Sequence, residues 1–347
     1  MPLAPPHASP GDAPPATDPA RPAWLKRLRL PLIAAPMLRV SGVDLVSAAC
    51  AAGVVGAFPT ANARSADELD AWLRTITDRL TGQPGAAPWC PNLIMRSPRL
   101  ADDLACVLRH RPEVVITSVG SPAPILPALH GIGCTVLADV ATLAHAHKAI
   151  AAGADGLVLL SAGAGGQTGW LNPFAFVRAL RREGYRGLLV LAGGQSDGTS
   201  LRAAQVLGCD LGYMGTRFIA TRESLAEAAY KQMLVEASID DIVLTKAFTG
   251  LPTSMLAPSI RQAGLDPARL DESVTPETAA QMFGGRSHRG DDDATAPGTA
   301  PETAAAPGPR RWRDVWSAGH SVSGVQGVPS VADLIAELEA AFHDAGG

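Results

Sequence analysis

Short, almost continuous apolar runs alternate with longer amphipathic segments along the first two thirds of the chain. The apolar runs are too uniform for strands with one face in water, so they predict buried parallel strands. We place eight strands at Leu30–Pro36, Val54–Thr60, Pro91–Met95, Val114–Val119, Thr135–Val140, Leu157–Ser161, Leu188–Ala192 and Leu211–Phe218. Helical periodicity between them predicts helices at Val43–Ala52, Ala66–Leu80, Leu100–His110, Pro124–His130, Leu143–Ala151, Pro173–Arg182 and Thr199–Leu207.

Eight β–α units in succession predict an α/β fold, a parallel (β/α)8 TIM barrel over residues 23–222. A doubly wound open sheet alternates in the same way and is the alternative. Its G-x-G-x-x-G fingerprint would follow the first strand, where this chain has Ala34-Ala35-Pro36-Met37. The glycine-rich loops come late, after strands six to eight, and a barrel holds phosphate after strands seven and eight. Their position favours the barrel.

The pattern changes after the eighth predicted strand. Residues 223–283 no longer follow the β–α alternation, and we interpret them as a small capping domain or insertion. Residues 284–310 and 1–22 have almost no large apolar side chains, so we predict a flexible loop and a disordered tail. Residues 311–347 return to packed chain and end in an amphipathic helix at Val331–Phe342.

Composition narrows the class of protein. The 347 residues are 47% hydrophobic and 18% charged with a net charge of −4, so we expect no nucleic acid and no membrane as partner. Five irregularly spaced cysteines without a C-x-x-C indicate reduced, mostly buried thiols rather than disulfides or zinc. A basic segment near residue 26 imitates a signal peptide, but Pro31, Pro36 and Arg39 interrupt its apolar part. We therefore expect a cytoplasmic protein, and we predict no metal site.

Glycines concentrate around the ends of the last three predicted strands. Glycine at this density costs backbone entropy and is tolerated mainly where the chain needs φ > 0 or lies against a ligand. Backbone N–H groups of such glycines beside the start of a helix bind anions, so we predict a phosphate site between the last two loops. The glycines lie at Gly165 and Gly166 after strand six, at Gly193 and Gly194 after strand seven, and at Gly215, followed by Thr216, towards the end of strand eight.

Seven short motifs in combination indicate a protein family more specifically than any one of them does alone. They are Ala35-Pro36-Met37, Asn92, Gly153-Ala154-Asp155-Gly156, Ala164-Gly165-Gly166, Ala192-Gly193-Gly194, Met214-Gly215-Thr216-Arg217-Phe218 and Trp316-Ser317-Ala318-Gly319. In this combination the chain resembles the FMN-dependent nitronate monooxygenases, formerly called 2-nitropropane dioxygenases, and the related FMN-dependent enoyl-ACP reductases and quinone reductases. The resemblance extends from about Leu30 to Phe342, apart from residues 284–310. It implies a TIM barrel with a small capping domain and FMN bound non-covalently at the C-terminal ends of the strands.

The resemblance also implies which residues bind FMN. By position, Met37 would contact the isoalloxazine ring through its main chain, and Asn92 would hydrogen-bond the ring or the ribityl chain. The ribityl phosphate would lie along Gly165, Gly166, Gly193, Gly194, Gly215 and Thr216. Without the resemblance, Met37 is a core side chain and Asn92 a turn residue at a strand end. An amide inside a buried strand needs a partner, which favours a functional role for Asn92.

One residue departs from the family pattern at a catalytic position. The family usually has histidine directly after its Ala-Gly-Gly, as the base that takes a proton from the nitroalkane carbon, and this chain has Gln167 there. An amide has no basic lone pair near neutral pH, so Gln167 can orient or polarise a substrate but cannot accept its proton. A substrate that is already an anionic nitronate needs no base.

A second departure lies near the C-terminus. The family commonly has glutamine after Ser-Ala-Gly, whereas this chain has His320. If both positions face the flavin, His320 replaces the missing base from the opposite side of the site. The competing interpretation is that His320 is a packing or loop residue.

The resemblance implies an oxidoreductase that oxidises alkyl nitronates or similar small carbanions, with a small-molecule substrate and O2 as partners. A homodimer is left open. One alternative keeps the fold and the flavin but changes the reaction to an NAD(P)H-dependent quinone or enoyl-thioester reductase. Another is a barrel that has lost its base and binds a flavin or another ligand without turnover.

Overall fold

The computed structural model describes residues 21–283 and 309–346. Its strands are β1 (Leu32–Ala34), β2 (Val55–Pro59), β3 (Trp89–Ile94), β4 (Val114–Ser118), β5 (Thr135–Val140), β6 (Gly156–Leu160), β7 (Gly166–Gln167), β8 (Leu188–Ala192), β9 (Leu211–Met214), β10 (Ile242–Thr245) and β11 (Thr253–Leu256). Its helices are α1 (Val43–Ala51), α2 (Ala66–Leu80), α3 (Leu100–His110), α4 (Leu126–Gly131), α5 (Leu143–Ala152), α6 (Pro173–Arg182), α7 (Gly198–Leu207), α8 (Thr216–Ile219), α9 (Ala228–Glu236), α10 (Ala257–Gln262), α11 (Pro276–Phe283) and α12 (Val331–Asp344). Short 3-10 helices cover Ala23–Arg27, Thr60–Asn62, Ile239–Asp241 and His320–Gly324.

Eight strands close into a parallel barrel in the order β1-β2-β3-β4-β5-β6-β8-β9. The last of them, β9, pairs with β1 in parallel. Apolar side chains fill the interior, and Ile33, Val158 and Val190 are fully buried there. The predicted (β/α)8 barrel is confirmed. The open-sheet alternative is wrong, because the first and last strands of the barrel hydrogen-bond to each other.

The eighth predicted strand is too long. Strand β9 ends at Met214, and Thr216–Ile219 form the short helix α8 instead of continuing the strand. Phe218 and Ile219 are buried in this helix. Because a buried strand and a buried helix both give a continuous apolar run, periodicity cannot separate them here.

A second sheet forms at the C-terminal end of the barrel. It is antiparallel, with the order β10-β11-β7, and joins residues after the barrel to the glycine-rich loop that follows β6. Gly166 pairs with Ser254, and Gln167 pairs with Thr253. The sequence predicts only a loop at residues 166–167. Two residues carry no detectable strand pattern, so only the partner strand β11 makes them a strand.

The C-terminal segment returns to the barrel. Helix α12 buries one apolar face, formed by Val331, Leu334, Ile335 and Leu338. It packs closely on α7, where a Cβ on Gly198 would lie 2.2 Å from the carbonyl oxygen of Leu338. This packing anchors the segment that precedes α12, which reaches the end of the barrel where the glycine loops lie.

Several predictions concern residues at the edges of the described chain. Most of the predicted tail (1–22) and of the predicted loop (284–310) lies outside the described residues. In the predicted capping segment, the first α-helix is α9, which begins at Ala228. All five cysteines are free and buried, as predicted. Within residues 21–283 and 309–346, no helix combines the length and apolar character needed to cross a membrane.

Candidate functional site

A cavity of about 410 Å³ lies at the C-terminal ends of the barrel strands. Small-molecule and cofactor sites span about 300–1,000 Å³, so this volume suits such a ligand. A depression of about 590 Å³ beside Trp24 and Tyr185, at the opposite end of the barrel, contains none of the predicted site residues. Those that line the cavity are Met37, Asn92, Gly165, Gly166, Gln167, Gly193, Gly194, Gly215 and Thr216.

Close backbone contacts require glycine at two positions of the cavity wall. A Cβ on Gly165 would lie 2.7 Å from the backbone nitrogen of Gly319, and a Cβ on Gly193 would lie 2.5 Å from the Oγ of Ser161. Gly193 also has a φ of +113°, which side chains of L residues rarely allow. The loops after β6 and β8 therefore contribute bare backbone to the cavity.

Hydrogen bonds hold the loops that carry Met37 and Thr216. The N–H of Met37 donates to the Oγ of Ser41 at 3.0 Å, and its carbonyl oxygen accepts from the Nδ2 of Asn62 at 2.9 Å. On the other side, the Oγ1 of Thr216 accepts from the N–H of Gly319 at 2.9 Å. Both loops are thus fixed before any ligand binds.

Asn92 lies on β3 and is 5% exposed. Its Nδ2 lies 3.2 Å from the Oγ of Ser118 and 3.4 Å from the carbonyl oxygen of Ile116, and the Ser118 hydroxyl lies 3.3 Å from its Oδ1. The barrel itself therefore supplies the partners that a buried amide needs. A ligand-binding role for Asn92 stays a prediction, supported by its position in the cavity wall.

Gln167 lies on β7, and its side chain is exposed at the cavity wall. Pairing of its backbone with Thr253 places it at the junction of the glycine loop and the small sheet. The amide can donate and accept hydrogen bonds, but it has no nitrogen that is basic near neutral pH. This position can orient a substrate and cannot remove its proton.

The structure does not bring His320 into the cavity. The residue is exposed, its N–H donates to the carbonyl oxygen of Gly163 at 2.9 Å, and its Nδ1 would lie 2.9 Å from a Cβ on that glycine. The imidazole thus rests against the glycine loop and is not among the side chains that line the cavity. The hypothesis that His320 replaces the missing base gains no support, because a residue exchange in the sequence does not tell which side of a loop a side chain takes.

Sequence reasoning missed Asp139, which lines the cavity from β5. Its Oδ1 is buried and has no hydrogen-bond partner among the described residues. Burial raises the pKa of the Asp139 carboxyl from 3.8 to about 7. A signal was present, since Asp139 is a charged residue near the C-terminal end of an otherwise apolar barrel strand, where ligands bind.

Sequence reasoning also missed Arg311. This arginine lines the cavity beside Trp312, whose ring lies 3.9 Å from the position of a Cβ on Gly166. Burial lowers the pKa of the Arg311 guanidinium from its usual value, and the group has no carboxylate partner in the described part of the chain. No sequence signal marks it, because it follows directly on a polar, low-complexity segment.

An aromatic pair fixes the C-terminal side of the cavity. The rings of Tyr230 and Trp316 stack with centroids 4.9 Å apart at an interplanar angle of 13°. The Tyr230 hydroxyl donates to the carbonyl oxygen of Ser317. This contact joins α9 to the returning segment and holds the backbone that packs against Gly165.

Comparisons with known proteins agree with this geometry. A family model described as Nitronate monooxygenase matches residues 92–340, from the middle of β3 to within α12. The chain belongs to the nitronate monooxygenase family. A nitronate monooxygenase of Pseudomonas aeruginosa is 30% identical over 311 residues, covering 74% of this chain and 88% of the relative. One of Paraburkholderia phytofirmans is 28% identical over 288 residues, covering 71% and 78%. The structure of FabK from Thermotoga maritima matches with a TM-score of 0.74 at 25% identity, covering 93% of this chain and 95% of that chain.

Membership of the nitronate monooxygenase family confirms the resemblance and makes the chain an oxidoreductase. Family and fold both fit a flavin cofactor. The residues present fit one too, because the cavity offers bare backbone at Gly165 and Gly193, and because it is lined by Asp139, whose Oδ1 has no hydrogen-bond partner among the described residues. The chain therefore has a cavity that fits a flavin, with Gln167 at the position where the family resemblance implies a histidine.

Proposed function

We propose that this protein binds FMN in the cavity and oxidises small alkyl nitronates, with O2 as the electron acceptor. The observation that carries the proposal is the presence in one cavity wall of Gln167 and of the Arg311 guanidinium, which has no carboxylate partner among residues 21–283 and 309–346. The Gln167 amide lacks the basic nitrogen that a neutral nitroalkane would require. The Arg311 guanidinium attracts a substrate that is already an anion.

The residues that would bind FMN are among those that line the cavity. Backbone at Gly193, Gly194 and Gly215 would hold the phosphate, with the hydroxyl of Thr216 beside it. The main chain of Met37 and the amide of Asn92 would contact the ring and the ribityl chain. Their positions are supported by the hydrogen bonds that fix both loops without a ligand.

The chemistry of the substrate explains why no base is needed. A nitroalkane must lose a proton from carbon before that carbon can give up electrons, whereas a nitronate has already lost it. When bound, FMN supplies the acceptor for the electrons that leave the nitronate carbon, and O2 takes them up afterwards. In this chain Gln167 would orient the nitronate oxygens by hydrogen bonds, and Arg311 would offset their negative charge.

Oxygen uptake by the FMN-loaded protein tests the proposal. We expect uptake with propionate 3-nitronate and none above background with nitroethane at a pH where nitroethane is neutral. Uptake with neither compound contradicts the proposed reaction. Rapid anaerobic bleaching of the flavin by NADPH alone would instead identify an NAD(P)H-dependent reductase, and a colourless protein that takes up no FMN would exclude both enzymes.

A further inference from the structure

Asp139 occupies an unusual place in the barrel. It lies on β5 two residues after Leu137, which belongs to the barrel interior, so the alternation of side chains turns Asp139 inwards as well. Its Cα pairs with that of Val158 on β6, another interior residue. Unlike these two, Asp139 reaches the cavity, where it lines the wall next to the barrel. It is a carboxyl on the floor of the proposed flavin site.

No positively charged side chain among the described residues pairs with this carboxyl. Its Oδ1 is buried and has no hydrogen-bond partner among the described residues. The titratable groups that interact with it are Tyr213 on β9 and Cys90 on β3, and burial raises the pKa of both well above their usual values. Neither carries a positive charge, so no group in the described part of the chain stabilises the carboxylate electrostatically. Burial alone raises the pKa of Asp139 to about 7.

A buried polar atom without a partner lowers the stability of the fold, and an apolar residue at the same position of a barrel strand would avoid this cost. An apolar residue at position 139 would match the other interior positions, such as Leu137 and Val158. The described residues therefore leave the hydrogen-bonding capacity of this carboxyl unmet. Asp139 is only half-buried, so its side chain is open to the cavity that it lines, and a ligand there would supply a partner.

We propose that Asp139 is the proton-exchanging group of the flavin site: as a neutral acid it donates a hydrogen bond to the bound ring system, and as a carboxylate it opposes negative charge there. The proposal rests on the proposed binding of FMN. A neutral carboxylic acid has one O–H donor, which matches the carbonyl oxygens and ring nitrogens of a flavin, whereas a carboxylate only accepts. The proton that Asp139 loses at higher pH goes to solvent.

Two consequences separate this role from a structural one. Affinity for FMN falls as pH rises through the range in which Asp139 ionises, since the donor is lost and a negative charge appears beside an electron-rich ring. Reduction of the bound flavin adds negative charge to the site and therefore favours the neutral acid. Between the pKa of Asp139 with oxidised flavin and its higher pKa with reduced flavin, reduction takes up as much as one more proton in the native protein than in a variant whose residue 139 cannot ionise.

The test compares the full-length FMN-loaded protein with Asp139→Asn, which keeps the size of the side chain and removes its proton. Asp102→Asn serves as the matched control, because Asp102 is an exposed carboxyl on α3 that does not line the cavity. The readouts are the FMN dissociation constant, the visible spectrum of the flavin and the pH dependence of its midpoint potential. The second ionisation of the FMN phosphate occurs with all three proteins, so a difference between them isolates residue 139.

We expect the dissociation constant of the native protein and of Asp102→Asn to rise at least about fivefold between pH 6 and pH 8.5. With Asp139→Asn we expect a smaller rise, and a midpoint potential that falls less steeply above pH 7. Equal pH profiles for the native protein and Asp139→Asn would overturn the proposal, and so would failure of the native protein to bind FMN.

A second variant and an infrared measurement test the role of Asp139 even where Asp139→Asn does not fold. If Asp139→Asn does not fold, Asp139→Ser replaces it, and infrared spectra of the native protein are recorded at pH 6 and pH 8.5. A protonated carboxyl band at the lower pH that disappears at the higher pH is expected, and its absence would overturn the assignment. Failure of nitronate oxidation with FMN bound contradicts the proposed reaction only, whereas unaltered flavin binding in Asp139→Asn contradicts the role of Asp139 only.

Discussion

Gln167 on β7 pairs through its main chain with Thr253 on β11. The residue at the family's usual base position is therefore held from two sides, by the glycine loop that follows β6 and by the small sheet formed after the barrel. Because this pairing involves the backbone, another side chain at position 167 would project from the same place. A substitution at position 167 should therefore leave the backbone pairing with Thr253 intact.

Gln167→His should add the missing base. The imidazole would project from the fixed β7 position into the cavity and could accept a proton near neutral pH. We expect oxygen uptake with neutral nitroethane to appear in this variant while uptake with propionate 3-nitronate persists. Gln167→Asn is the control, since it changes the side chain without adding a basic nitrogen. Nitroethane oxidation by the native protein at a similar rate would contradict this expectation.

His320→Gln tests the competing sequence hypothesis directly. Because the His320 imidazole rests against Gly163 outside the cavity wall, we expect unchanged oxygen uptake with the nitronate. The measurement is kcat and KM under the conditions used for the native protein. A large loss of kcat would restore His320 as a candidate base.

Arg311→Ala should weaken binding of anionic substrates. Hydrogen bonds to a charged group contribute about 1.5–3 kcal/mol, so we expect KM for propionate 3-nitronate to rise by about 10- to 100-fold. The change in kcat and in the flavin spectrum should be small, because the proposed role of the Arg311 charge is to bind the substrate anion and not the flavin. Arg311→Lys should recover part of the affinity through its charge.

Arg64→Ala is the matched control for Arg311→Ala. Its side chain is 84% exposed and pairs with Glu68 on α2. A rise in KM of equal size in both variants would show a general effect of net charge and would contradict a specific role for Arg311.

Gly165→Ala should destabilise the cavity wall. The new Cβ would lie 2.7 Å from the backbone nitrogen of Gly319, and backbone cannot move aside as a flexible side chain can. Overpacking of this kind costs about 1–3 kcal/mol, so we expect a lower melting temperature and weaker FMN binding. Gly85→Ala is the control, because a Cβ there meets no atom within 4 Å. Equal melting temperatures for the two variants would contradict the packing argument.

Asp139 should make the stability of the flavin-free protein depend on pH. Its pKa is raised from 3.8 to about 7 on folding, so its favourable contribution is complete below about pH 4 and is lost as pH rises through about 7. We expect the melting temperature to fall between pH 6 and pH 8.5 more in the native protein than in Asp139→Asn. Calorimetry over this range measures it, and parallel curves would contradict a buried, ionising Asp139.

Much of the fold could be predicted because it depends on local patterns. Parallel strands buried on both faces need uniformly apolar runs, and Val114–Ser118 or Thr135–Val140 show this directly. Glycines at positions 165 and 193 could be singled out as well, since close backbone contacts exclude a Cβ there. These requirements act on the residue itself, so they are visible in the amino-acid sequence.

By itself, the sequence determined the barrel, the end of the barrel that holds the site, and the absence of the family's histidine at Gln167. Only the tertiary structure decided how side chains from distant segments meet. The fold places His320 against Gly163, brings Arg311 to the cavity and leaves the Oδ1 of Asp139 without a partner among the residues that the structure describes. The physical reason is that burial, hydrogen bonding and charge pairing depend on neighbours in space, and residues as far apart as 139 and 311 become neighbours of one cavity only when the chain has folded.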